Sequence, residues 1–334
     1  MYLLRKHIII IIIFFQSTIS FAQQGKVYTN LEQAVKNKDS VFILNLSDRK
    51  LTKLPKEVRK FKNLVNINLS ENCFNEYPRI LRKNKHLREI NLNFNEIKTV
   101  NIPRRNLKSL EKISFVKNGL TAFPTSLLKV KKLKSLNVAD NKITAVPKEI
   151  DKLQSLKVVI FYKNNITEIP NTFYNLINLT DMDFYYNSIS HIDTSIKKLE
   201  NLEHLFLSFN KIKTLPDEIC QLKKLKFIYA QKNQLETLPM CVKSLHTLER
   251  IDIQNNKFQY FPTELLVLPN LEEIDISTNN ISLLPKELLQ LPKLNLLMLR
   301  NNKLLFEGDN KAENYSVIRA LEERKVIVKR FDSN

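Results

Sequence analysis

Leucine and its apolar relatives fall at a fixed set of places that comes round every 23 residues. Units begin at Val41, Leu64, Leu87, Leu110, Leu133, Leu156, Leu179, Leu202, Leu225, Leu248, Leu271 and Leu294, with no insertion or deletion between them. Counting from each start, apolar residues recur at positions 1, 4, 6, 11, 14, 18 and 21; in one unit these are Leu202, Leu205, Leu207, Ile212, Leu215, Ile219 and Leu222. Positions 4 and 6 alternate as in a strand, so both point inward while 3, 5 and 7 point out. Apolar residues at 18 and 21 are three apart and suit a short helical turn packed back onto the core. Position 15 is Pro in nine units, which rules out a central strand there because Pro cannot donate to a ladder. Position 9 is Asn in eleven of the twelve, with only Arg49 departing. An amide carries donors and an acceptor together, so it can hydrogen-bond the backbone where the chain turns off the strand and serve the next coil as well.

No single unit can bury its own apolar face, so neighbouring coils must supply the core. The pattern therefore predicts an α/β repeat solenoid, with one parallel sheet on one side and short helical or irregular segments on the other. Twelve strands at ~4.8 Å spacing make a face roughly 58 Å long. The return segments are bulkier than the strands, so the sheet side is expected to be concave. An open stack needs atypical end units. Residues 29–37 (TNLEQAVKN) read as a short amphipathic helix, and 311–323 as a longer one with Val317, Ile318 and Leu321 facing in. A strand through Val326, Ile327 and Val328 follows, placed to add a last rung. The expected division is a leader over 1–22, an amino-terminal cap over 23–40, twelve repeats over 41–305 and a carboxyl-terminal cap over 306–334. Two units are irregular: the third has Asn101 in the Pro place, Pro103 displaced and Arg104 at an apolar position, and the seventh has Asp193 for Pro.

The pattern Leu-x-x-Leu-x-Leu-x-x-Asn-x-Leu-x-x-Leu-Pro-x-x-Leu-x-x-Leu over 41–305 resembles the leucine-rich-repeat superfamily. Its Leu-Pro pair is similar to the class found in Ras-binding and plant disease-resistance-like leucine-rich scaffolds, and in exported bacterial leucine-rich proteins. The resemblance implies a horseshoe that binds ligands on its concave face, and it names no ligand.

Positions 3, 5, 7 and 8 should line that face. In the sixth to ninth repeats, nine of sixteen such residues are apolar or aromatic: Val158, Ile160, Tyr162, Tyr185, Tyr186, Phe206, Phe209, Phe227 and Tyr229. The first five repeats have four of twenty, and one aromatic, Phe94. Strand propensity favours Tyr and Phe anywhere on a sheet, but it does not explain their confinement to four consecutive repeats. Solvent-facing aromatics in a cluster mark a binding surface. The expected site is centred on Phe206 and Tyr229, with His204 as a further contact. Asp181 and Asp183 beside it, and Asp252, Glu273 and Asp275 beyond it, read as an acidic rim suited to a ligand with a basic segment.

Composition narrows the chemistry. Only 3 glycines occur, at Gly25, Gly119 and Gly308, too far apart for a phosphate-cradling loop. The histidines show no metal-ligand spacing, no nucleophile motif is present, and no cofactor is implied. Net charge is +19, but the lysines gather on the return segments (Lys131, Lys132, Lys197, Lys198, Lys223, Lys224), on the face opposite the aromatics. Nucleic-acid readers place both on one surface, which argues against nucleic acid. Arg5 and Lys6, an apolar run over Ile8–Phe15, and Ser20 and Ala22 before Gln23 read as an export leader, either cleaved after Ala22 or kept as an anchor. Of three cysteines at least one is unpaired, and a Cys220–Cys241 bridge between adjacent repeats is conceivable though not required. Six Asn-x-Ser/Thr sequons occur, at Asn45, Asn68, Asn165, Asn178, Asn280 and Asn314.

The sequence therefore predicts an exported, non-enzymatic, monomeric module that grips a polypeptide on an aromatic concave patch. Two alternatives stay open. One is an adhesin or receptor for an anionic glycan or envelope polymer; the other is an intracellular Ras-type scaffold, which requires the leader to be misread.

Overall fold

A computed structural model describes residues 25–102, 108–305 and 310–330. The expected leader, Pro103 and Arg104 of the irregular third repeat, and residues 306–309 and 331–334 of the expected carboxyl-terminal cap lie outside the described residues. Fourteen strands lie side by side in chain order in one open parallel sheet. Twelve come from the repeats, each taking positions 3 to 5, as in His204–Phe206 and Phe227–Tyr229. Val27–Tyr28 precedes them and Ile327–Lys329 follows, the latter pairing with Leu296–Met298. Each residue pairs with the one 23 places on, so His204 meets Phe227 and Phe206 meets Tyr229. Residues of like position therefore form straight columns down the sheet.

The inward positions are buried as their spacing requires: Leu202, Leu205, Leu207, Ile212, Ile219 and Leu222 are fully enclosed and Leu215 nearly so. Beneath the sheet in the sixth and seventh repeats the core is aromatic, with Phe161 stacked on Phe184 at 5.1 Å and Phe173 edge-on to Phe184 at 5.3 Å. On the return side, positions 16 to 20 form five-residue 3-10 turns such as Lys148–Lys152, entered from Pro147. The sequence leads to a helical turn there, and the tighter 3-10 form suits so short a segment. In the seventh repeat Asp193 does the work of Pro differently: its side chain accepts from the Ser195 N–H at 2.8 Å and caps the turn Thr194–Lys198.

Two polar ladders tie the coils together. Asn210 at position 9 donates through Nδ2 to the carbonyls of Leu207 and Phe184, both at 2.9 Å, and its Oδ1 accepts from the Ile189 N–H at 2.9 Å. The same set recurs from Asn72 to Asn302. Each amide thus serves the preceding coil, not the next one. The second ladder runs along position 23, where Asn178, Asn201 and Asn270 donate to the position-22 carbonyl of the coil before.

The ends are sealed by chain outside the repeat pattern. Helix Leu31–Lys36, capped by Asn30, buries Ala34. Helix Lys311–Glu323 buries Val317, Ile318 and Leu321. From that helix Asn314 accepts from the Leu284 N–H and donates to the Ser282 and Leu304 carbonyls, repeating the ladder's chemistry with a residue from outside it. Its full burial removes it as a glycan acceptor in the folded protein. Cys220 and Cys241 are bridged, Cα to Cα 5.8 Å, joining two adjacent 3-10 turns, and Cys73 is free.

Candidate binding face on the sheet

The aromatic columns of the sixth to ninth repeats come together, but they do not all stand in solvent. Like positions sit one strand spacing apart, so large rings cover one another. Phe206 and Tyr229 stack at 5.2 Å with 8° between their planes, and only 6% and 7% of their surfaces are exposed. Tyr185 joins them to make a second apolar cluster, separate from the core and lying on top of the sheet. Ile160 is buried beside it and Val158 half-buried. Phe206 and Tyr229, expected to face solvent, are instead the floor of the patch.

The accessible part is carried by Tyr162, Tyr186, Phe209 and Phe227. Tyr186 is 49% exposed and stacks on Phe209 at 5.2 Å; Phe209 also meets Tyr185 at 5.0 Å. These two rings occupy position 8, where the chain turns off the strand with a left-handed backbone in every repeat, φ being 59° at Tyr186 and 55° at Phe209. Asn and Asp tolerate that conformation, as at Asp48, Asp140, Asn255 and Asn301, whereas bulky side chains are disfavoured in it. The fold thus holds three aromatics in a conformation that disfavours bulky side chains, Phe94 alone and Tyr186 and Phe209 side by side.

The acids are placed differently from a solvated rim. Asp183, Asp252 and Asp275 occupy position 5, and all three are buried. Each uses one carboxylate oxygen to accept the N–H two residues on, from Tyr185 at 2.8 Å, Gln254 at 3.1 Å and Ser277 at 2.9 Å. Asn45, Asn68, Asn91 and Asn137 make the same bond at the same position. These aspartates are turn caps carrying a charge that the asparagines lack. Burial pushes the Asp183 carboxyl up to about 7, and the nearby Asp181 adds to the rise. Asp252 and Asp275 sit opposite each other on paired strands. Burial raises both carboxyls, and the charge of Asp275 raises Asp252 further.

The remaining polar residues form a chain along position 3. Asp181 accepts from Thr180 at 2.6 Å and meets Nδ1 of His204 at 2.6 Å. The His204 ring stacks on Phe227 at 4.7 Å, the guanidinium of Arg250 lies over that same Phe227 ring at 5.2 Å from its centroid, and Arg250 pairs with Glu273 at 3.4 Å. Lys232 lies over Phe209 at 4.6 Å. Cations and rings therefore do share this face, contrary to the separation expected from the return-segment lysines. Lys232 and Arg250 were missed because the position-3 and position-8 columns were weighed for apolar and acidic residues and His204, and not for cations.

Residues 186–235 and 246–304 match a leucine-rich-repeat family model, and residues 83–100 and 131–146 match a second one. No curated protein matches the chain. Among solved structures, a leucine-rich-repeat protein of Leptospira interrogans is similar at 30% identity, over 92% of this chain and 88% of that one, with a TM-score of 0.73. An internalin of Listeria monocytogenes superposes at 0.76 with 19% identity, over 91% and 87%. A plant peptide hormone receptor, solved with the peptide RGF2, superposes at 0.64 with 22% identity, over 83% of this chain and 54% of the receptor.

Proposed function

The chain belongs to the leucine-rich-repeat family, and on that premise we propose that it is a non-enzymatic protein-binding module whose ligand, a polypeptide, seats on the aromatic patch of the sixth to ninth repeats. One observation carries the reading: two adjacent aromatics, Tyr186 and Phe209, are kept in a left-handed backbone conformation and left open to solvent. The turn does not require a ring, since elsewhere it is made by Asp, Asn, Thr, Lys or Glu; Phe94 makes it too, but singly, whereas Tyr186 and Phe209 stand on neighbouring coils and stack. Strain retained at an accessible aromatic pair is accounted for by binding. The buried floor of Tyr185, Phe206 and Tyr229 holds the pair rigid, which lowers the entropy lost on association. Val158, Ile160, Tyr162, His204 and Phe227 border it.

Export is part of the same proposal. It rests on the leader pattern at 1–22 and on the Cys220–Cys241 bridge, since disulfides persist in oxidising compartments. The plant neighbour binds its peptide as a receptor, which is compatible with a peptide-binding role for a related fold. No helix among the described residues is long and apolar enough to cross a membrane.

The test is a pull-down from the envelope and medium fractions with wild type and with Tyr186→Asn/Phe209→Asn. A partner enriched on wild type should fall at least tenfold on the variant, and equal recovery would sink the proposal.

A further inference from the structure

The charge around the patch is asymmetric, and this deepens the reading of that patch as the binding site. On the face itself the acids are engaged: Asp183, Asp252 and Asp275 are buried turn caps, Asp181 is bonded to His204 and Thr180, and Glu273 pairs with Arg250. The edge where the chain enters the strands carries both signs, with Glu111 paired to Lys134 at 2.9 Å and Glu203 paired to Lys226 at 2.7 Å. Glu249 and Glu272 continue that mixed edge. The opposite edge, where the chain leaves the strands, is cationic. Positions 8 and 10 of the fourth to tenth repeats hold Lys117, Lys142, Lys163, Lys211, Lys232 and Lys257, all exposed. Their single acid, Asp140, is held by Lys163 at 2.9 Å. Glu168 and Glu236 stand farther round, on the return segment. Tyr186 and Phe209 lie in the middle of this lysine lip, and Lys232 reaches back over the Phe209 ring.

We propose that the partner is a polypeptide that lays an acidic extended segment along the lysine lip and seats an aromatic or aliphatic side chain on Tyr186 and Phe209. This reverses the sign expected from sequence, where Asp181, Asp183, Asp252, Glu273 and Asp275 pointed to a ligand with a basic segment. The exposed charge belongs to the lip, and complementarity with it selects an anionic chain and speeds its capture. The apolar seat distinguishes a peptide from a bare polyanion, which needs only the lysines.

Panning random dodecapeptides on the full chain, with counter-selection on Tyr186→Asn/Phe209→Asn, tests this. Enriched peptides should carry net negative charge and an aromatic or large aliphatic residue. They should bind roughly tenfold more weakly to Lys163→Glu/Lys232→Glu and lose affinity steeply between 50 and 300 mM salt. Net basic or neutral winners, or acidic winners indifferent to the lysine reversal, would overturn the acidic partner while leaving the patch reading in place. Absence of any patch-dependent peptide would overturn both. Twelve-residue oligothymidylate serves as the polyanion control. Binding as tight as the best peptide, and unaffected by the aromatic changes, would also overturn the proposal. The lysines are exposed, so the reversal leaves the fold intact, and thermal melts of each variant confirm it.

Discussion

The sheet faces of repeats one to five and of repeats six to nine rest on the same scaffold and carry different chemistry. Both have the position-9 amide ladder, the same register, and a core with the same periodicity. In the first region position 5 is Asn or Ser and position 7 is small, apart from Val116. In the second, position 5 reads Ile160, Asp183, Phe206 and Tyr229, and Tyr162 and Tyr185 enter at position 7. Where position 5 is Asn or Asp, its side chain caps the following N–H. Ile160 and Phe206 carry no acceptor, and the hydroxyl of Tyr229 stands at the far end of its ring. The second region thus gives up local hydrogen bonds that the first one keeps, and gains a stacked aromatic surface. Asparagines at the same position in the first half show that the repeat geometry itself does not call for rings there.

That contrast can be broken by substitution, and the largest effect belongs to the floor. Phe206→Ala/Tyr229→Ala removes two buried, stacked rings and should lower stability by about 4 kcal/mol, within the range for large-to-small changes at buried aromatics. Urea unfolding measures it, and a loss below about 1 kcal/mol would mean that the floor is not packed as described.

Next comes Asp183→Asn, which keeps the cap but removes the buried charge. Burial lifts the folded-state carboxyl to about 7, above its unfolded value, so the native state holds the proton more tightly. Stability is therefore highest below the unfolded value and falls as pH rises through about 7. The variant should match wild type near pH 3 and exceed it by on the order of 3 kcal/mol at pH 8. A pH series of melting curves tests the sign, and parallel curves for the two proteins would refute it.

Smaller is Asn68→Ala in the first region, which deletes a cap to the Ser70 N–H and should cost about 1 kcal/mol. Asn137→Asp, at a position-5 asparagine that is buried and makes the same cap, should lower stability as pH rises, reproducing in the first region what Asp183 does in the second. The smallest effect is expected for Tyr186→Asn. Relief of the left-handed strain offsets the lost ring contacts, leaving stability within about 1 kcal/mol of wild type. A large loss would make Tyr186 a structural residue.

The repeat, its strands and the carboxyl-terminal helix were legible because periodic burial is written directly in residue type. The columns of the face were legible for the same reason, since the register is fixed by a constant 23-residue step. Burial within the face was not, because it depends on rings of neighbouring coils meeting, as Phe206 meets Tyr229. The role of Asp183, Asp252 and Asp275 had a signal in the asparagines that share their column, but their charge drew attention to the ligand instead. The left-handed turn had one too, in Asp48, Asp140, Asn255 and Asn301 at position 8. The disulfide depended on how two 3-10 turns offset the chain, which spacing alone does not encode.

The central claim is that recognition sits in the second region and not the first. Matched variants test it most directly: Tyr186→Asn/Phe209→Asn in one, Glu71→Asn/Phe94→Asn at the same turn position in the other, each titrated by fluorescence anisotropy with a labelled panned peptide. The first pair should weaken binding at least tenfold, and the second should leave it within twofold. Equal losses, or a loss confined to the Phe94 pair, would contradict the account.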